Sequence, residues 1–301
     1  MSEPVSPHPG PMPILLLLDE GLRLTRAHIR AIFPAVALPV AVISTLAGIV
    51  QAIDLQGSFK GRTPSPFMFW TPQVLIASGL LVLLSVVAYL AGQVAALDAL
   101  AGRPLNMVRA WRFALRPSVW GTLLLSLLVI LISFLFCVLP VFVVAPLLAF
   151  AIPVMVEEGR FGLRSFSRSA ELALFNPSRR LAEHPIVKVL LLMVVSTLIS
   201  YLAGLLVALP FQLPMFIDLL RKGLAGDQDV TSVVARWVWL QIPAQFLSSL
   251  TTTAIYIYTA FGMALLYADV RSRKEGIDLR PEIEALFPAP PSLAPPEAPW
   301  P

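Results

Sequence analysis

The sequence predicts an all-α fold: a polytopic integral membrane bundle of six transmembrane helices, with cytosolic amphipathic helices lying at the interface. Three observations predict it. Hydrophobic residues fill 57% of the 301 positions and charged residues only 13%, about half the charged share of an average soluble domain. Several apolar runs reach the roughly 17–25 residues that cross about 30 Å of hydrocarbon. The basic residues fall between those runs rather than within them.

Residues 1–13 hold six prolines or glycines and no Lys or Arg. They are expected to stay disordered, and they lack the basic start of a cleavable signal, so the first membrane segment is expected to remain as an anchor. Residues 14–32 read as a surface helix. Leu18, Leu22, Ile29 and Ile32 align on one side, and Asp19, Arg23, Arg26 and Arg30 on the other. The first predicted span is 33–53, with Pro34 and Pro39 tolerable near its start. A Gly- and Pro-bearing linker with Phe67, Phe69 and Trp70 suited to an interfacial belt leads to the second span, 72–97.

Residues 98–118 return to basic character with Arg103, Arg109, Arg112 and Arg116. Spans 119–137 and 141–156 make a hairpin turning near Pro140. The second of these is short and carries Pro146 and Pro153, so a kink or tilt is expected. Its apolar run ends at Glu157 and Glu158, which are expected to mark the membrane boundary and to pair with Arg160 or Arg164. A further surface helix follows. Leu163, Phe166, Ala170, Ala173 and Leu174 share one face, and Arg164, Arg168 and Glu171 another. The fifth span is 186–209, residues 211–220 read as interfacial or re-entrant, and the sixth span is 237–267. The membrane domain thus covers 14–279, and the proline-rich tail 280–301 is not expected to fold.

Lys and Arg placement gives the orientation. With the N-terminus inside, sixteen of the 22 fall on the inner side and five on the outer, and Lys188 lies at an inner boundary. Both termini are therefore expected in the cytosol, at a bacterial inner membrane.

The inventory of reactive side chains is poor. No HExxH, CxxC, GxSxG or P-loop pattern occurs. The three histidines, His8, His28 and His184, read as solvated, and the single cysteine, Cys137, as a small buried hydrophobe. Glu157–Glu158 and Asp19–Glu20 are adjacent pairs, whose side chains diverge by about 100° on a helix. No catalysis, metal or cofactor is expected. The net charge of +4 comes in blocks too short to track a nucleic-acid backbone, so nucleic acid is not an expected partner. Anionic lipid of the inner leaflet is, through a basic collar of Arg23, Arg26, Arg30, Arg109, Arg112, Arg164, Arg168, Arg271, Arg273 and Lys274.

Asp54, Asp98, Asp218 and Lys188 all sit at span ends, so no ionisable group is expected deep in the bundle. An uncharged polar stripe remains on the sixth span: Gln241, Gln245, Ser248, Thr252, Tyr256 and Thr259, spaced by three or four. Such a face avoids lipid. It serves either as a seam of interhelical hydrogen bonds or as the wall of a water- or substrate-filled cavity. Small residues at Ser196, Ser200 and Gly204, and at Ser78, Ser85 and Gly92, favour close helix packing.

Three stretches carry a resemblance: LLLDEGLRLTRAHIRAIF before the first span, PVMVEEGRFGLRSFSRSAELA after the fourth, and LLYADVRSRKEGIDL at the end of the last. Together they resemble the membrane domain sometimes fused to bacterial glycerophosphodiester phosphodiesterases. The resemblance implies a six-span inner-membrane bundle and no activity, because the catalytic barrel of those enzymes is a separate part for which this chain has no room. Two functions are thus expected to compete. One is a non-catalytic membrane scaffold or accessory module that engages anionic lipid or a partner protein. The other is a transporter or permease for a small or lipid-like molecule along the polar stripe.

Overall fold

The structure is a computed structural model that describes residues 12–59, 71–136, 138–175, 183–225 and 230–276. The described residues form helices α1 (Ile14–Phe59), α2 (Pro72–Leu100), α3 (Met107–Ala114), α4 (Pro117–Phe136), α5 (Val138–Leu148), α6 (Ala151–Glu157), α7 (Leu163–Ala173), α8 (Pro185–Leu224), α9 (Val230–Trp237) and α10 (Gln241–Glu275), the last entered through a short 3₁₀ turn, Val238–Leu240. No strand occurs among them. Among the described residues five segments are long and apolar enough to cross a membrane: Ile14–Asp54, Pro72–Leu100, Pro117–Leu135, Pro185–Leu224 and Val238–Glu275. The expected tails 1–13 and 280–301 lie almost wholly outside the described residues, as does Cys137.

Several expected boundaries differ. The predicted surface helix 14–32 and first span 33–53 are one continuous helix, α1, with Pro34 and Pro39 inside it. Each proline forfeits one backbone hydrogen bond, yet the helix continues past both and packs along α10. Gly21 and Gly262 make that packing close: a Cβ on Gly21 would sit 3.7 Å from the Gly262 backbone. Small residues of this kind let two helix backbones approach.

The predicted fourth span, 141–156, is broken into α5 and α6 at Ala149–Phe150. Pro153 cannot donate to the Ala149 carbonyl, so a continuous helix would lose a bond at that turn. At the third position of a new helix its missing N–H costs nothing. Residues 211–220, expected to lie across the interface or re-enter, simply continue α8 to Leu224 past Pro210 and Pro214. The last helix begins at Gln241 rather than 237 and runs on to Glu275, where Gly276 (φ +63°) closes it in the left-handed conformation.

Two helices also present a different face to the core than the one expected. Within residues 14–32 of α1 the buried positions are Leu17, Gly21, Leu24, Thr25 and Ile32, whereas Leu22 is exposed. On α7 they are Ser165, Ser169, Leu172 and Ala173, and both Leu163 and Leu174 are exposed. The α7 serines donate to carbonyls of the broken span: Ser169 to Leu147 at 2.6 Å and Ser165 to Ala151 at 3.0 Å. Leu147 lies in the last turn of α5, where carbonyls lack helical partners. Ser169 thus satisfies a carbonyl that the break leaves open, and Ser165 adds a bond to a carbonyl in the first turn of α6.

The core is polarised. Residues 260–267 of α10 are buried without interruption, packed by Leu17 and Ile32 of α1, Phe150, Val154, Leu172 and Leu192. A second cluster joins Val87, Leu90 and Val94 of α2 to Phe113, Val119 and Met155. At the other end α8 leaves Leu198, Leu202, Leu205, Leu206 and Leu209 exposed.

Candidate functional site

The tightly packed end carries the expected collar, and most of its members pair with acidic groups. Arg168 bonds Glu158 at 3.1 Å, Glu171 at 3.2 Å, and Glu275. Arg271 pairs with Glu275 at 3.0 Å, Arg273 with Asp269 at 2.5 Å and Lys274 with Glu171 at 2.5 Å. Arg23 pairs with Glu20 at 2.6 Å and Arg109 with Asp98 at 3.5 Å. Only Arg26, Arg30, Arg112 and Arg164 of the ten are exposed with no acidic partner among the described residues. Glu158 meets Arg160, as expected, but Arg164 takes neither glutamate. Glu157 instead accepts from Arg103 at 2.6 Å.

Two charges are more enclosed than their positions at helix ends suggest. Asp98 is 1% exposed and lies between Arg103 and Arg109. Lys188 is 2% exposed, donates to the Met12 carbonyl at 2.7 Å and stands 3.9 Å from Asp269. These are the residues that sequence reasoning missed: its rule for buried charge looked to the middle of spans, whereas the chain folds over their ends. The hydrogen bond with Glu157 holds the Arg103 pKa above its ordinary value. Lys274, followed by Arg168, holds that of Glu171 below the usual carboxylate range. The histidines are engaged rather than solvated. His28 stacks on Phe261 at 5.8 Å, and His184 accepts from the Ile186 N–H at 3.2 Å, capping α8; His8 lies outside the described residues.

Toward the other end the packing opens into a cleft, and the polar stripe faces it. Gln241, Gln245, Ser248, Thr252 and Tyr256 line a cavity of about 340 Å³ with Ser44 and Ser85 from α1 and α2 and Gln212 from α8. Gly48 and Gly204 stand opposite Gln245 and Ser248 and leave them room. Thr259, the sixth stripe residue, lines a second cavity of about 450 Å³ together with Ser126, Ser196, Thr197, Ser200 and Tyr256. Tyr89 and Tyr256 meet edge to face between the two, with ring centroids 6.0 Å apart. No charged side chain lines either cavity.

None of the six stripe side chains bridges to another helix by a hydrogen bond among the described residues; Thr259 bonds back to the Ile255 carbonyl at 2.9 Å. The interhelical seam is therefore absent from this face, and a cavity wall takes its place. Ser196 and Ser200, expected at a tight helix contact, also look into a hollow, and the Ser196 hydroxyl is buried without a partner. Over the 18 residues from Gln241 to Thr259 the stripe rises about 27 Å, nearly the thickness of a hydrocarbon layer. Among the described residues no group of three or more His, Cys, Asp or Glu side chains converges to hold a metal.

No family model, curated protein or solved structure matches this chain.

Proposed function

We propose that this chain is a six-span protein of the bacterial inner membrane that binds an uncharged, lipid-like amphiphile and passes it along the polar face of α10. The observation that carries the reading is the cleft beside Gln245 and Thr252, lined by amides and hydroxyls with no ion. Its volume, with that of the neighbouring cavity, falls within the about 300–1,000 Å³ usual for small-molecule sites. A charged ligand would find no counterion there, whereas a hydroxylated head would find donors and acceptors and its chain would find the apolar walls of the second cavity.

The broken helix pair α5–α6 serves as the sixth crossing. Five crossings would put the termini on opposite sides; the sixth returns both to the arginine-rich side, which the positive-inside rule makes cytosolic. The resemblance carried by the three charged stretches would imply such a bundle and would add no activity to it. A second reading, an accessory scaffold held to anionic inner-leaflet lipid or to a partner protein, is favoured by exposed Arg26, Arg30, Arg112 and Arg164.

A vesicle assay separates the two. Full-length protein is reconstituted into phosphatidylcholine vesicles holding fluorophore-labelled diacylglycerol, and the inner-leaflet label is followed as it becomes accessible to a quencher outside. Transfer should exceed that of protein-free vesicles several-fold, and Thr252→Phe, which fills the cavity, should remove the excess. Equal rates with and without protein, or full activity in Thr252→Phe, would overturn the reading.

A further inference from the structure

A separate cavity of about 490 Å³ lies at the charged end, between α3 and the turn after α6, and three arginines converge on it: Arg109, Arg112 and Arg116. We infer that it is a binding site for a phosphate monoester, in which Arg112 and Arg116 neutralise the two charges. The inference is independent of the α10 cavity and of the transfer activity proposed for it.

Local sequence builds the site. Asn106 caps α3 by accepting from the Arg109 N–H at 3.0 Å, which starts the helix where a spacing of three places Arg109 and Arg112 on one side, and Arg116 follows in the turn between α3 and α4. Ala110, Phe113 and Ala114 hold the other side in the core. Gly159 and Gly162, both left-handed (φ +64° and +62°), turn the chain back so that Phe161 comes within 6.5 Å of Phe113, centroid to centroid. The two rings form an apolar floor, and Arg116 is held over Phe113 at 5.6 Å. This stacking orders a guanidinium without consuming its charge.

Charge balance picks the ligand. Asp98 and Glu157 between them take up Arg103 and Arg109, two acids against two bases. Glu158 is engaged by Arg160 and Arg168. Arg112 and Arg116 have no acidic partner among the described residues, and no carboxylate lines the cavity. Two uncompensated guanidiniums beside an aromatic floor suit a dianionic phosphate attached to something apolar, and guanidinium forks match phosphate oxygens in pairs. Such a ligand comes either from a membrane lipid, as phosphatidic acid, or from a soluble phosphate.

The test uses full-length protein in phosphatidylcholine nanodiscs, titrated with dihexanoyl phosphatidic acid, with inorganic phosphate as competitor. Saturable binding is expected, weakened about tenfold or more in Arg112→Gln/Arg116→Gln and unchanged in Arg26→Gln/Arg30→Gln, which removes the same charge elsewhere. Arg112→Lys/Arg116→Lys should bind in between, because it keeps the charge and loses the fork. All these side chains are exposed and lie outside the packed core, so the variants should fold. Competition by inorganic phosphate at similar concentrations marks a soluble ligand as the source; its failure to compete marks the lipid. Absence of saturable binding, or an equal loss in the Arg26/Arg30 variant, overturns the site.

Discussion

Gly262 shows how tightly the charged end of the bundle is set. A Cβ there would meet Leu192 Cδ1 at 3.0 Å and Cδ2 at 3.1 Å, and Leu192 is itself fully buried. Gly262→Val should therefore destabilise by about 1–3 kcal/mol, read as a lowered melting temperature in detergent. Leu192→Ala made in the Gly262→Val background should recover part of that loss, although Leu192→Ala alone is destabilising. Strictly additive effects would show that the two sites do not press on each other. Glu171 gives a pH dependence at the same end. Its folded pKa is lowered, chiefly by Lys274. The contribution is therefore present above the usual carboxylate range and is lost as pH falls through the lowered value. Thermal stability should decline on acidification across that range, and Glu171→Gln should flatten the corresponding part of the profile.

Among the elements, α7 is the least expected in its packing. Its leucines at 163 and 174 are exposed, and its serines at 165 and 169 are buried against the α5–α6 break. Ser165→Ala/Ser169→Ala should cost about 1 kcal/mol per lost bond, or more where a carbonyl is left buried without a partner. Ser167→Ala, on the exposed side, should be neutral. A double variant as stable as the wild type would show that apolar contact alone seats α7. For α10 the spacing of the polar stripe was legible in the sequence, but whether those side chains would meet other helices or a void was not. That depends on which residues of α1, α2 and α8 stand opposite.

Across the whole molecule, the contrast is between a packed, ion-paired end and an end that opens into a cleft. In a Cys137→Ser background, a cysteine at Thr252 should react readily with a water-soluble maleimide. One at Ala264, within the continuously buried stretch of α10, should react only after unfolding. Similar rates at both positions would show that the cleft is not wetted. The buried Lys188 belongs to this scale as well: it ties the start of α1, through the Met12 carbonyl, to the ends of α8 and α10. No local pattern around position 188 announces that closure.

Composition and run length by themselves determined the all-helical class and the presence of several helices fit for a membrane, because crossing hydrocarbon demands long apolar stretches with their backbone bonds satisfied internally. Arginine spacing likewise located the charged segments. Tertiary packing alone decided which face of each helix is buried and which arginines find acids. Periodicity describes one helix at a time, whereas a buried ion pair or a cavity is a property of the several helices that meet around it.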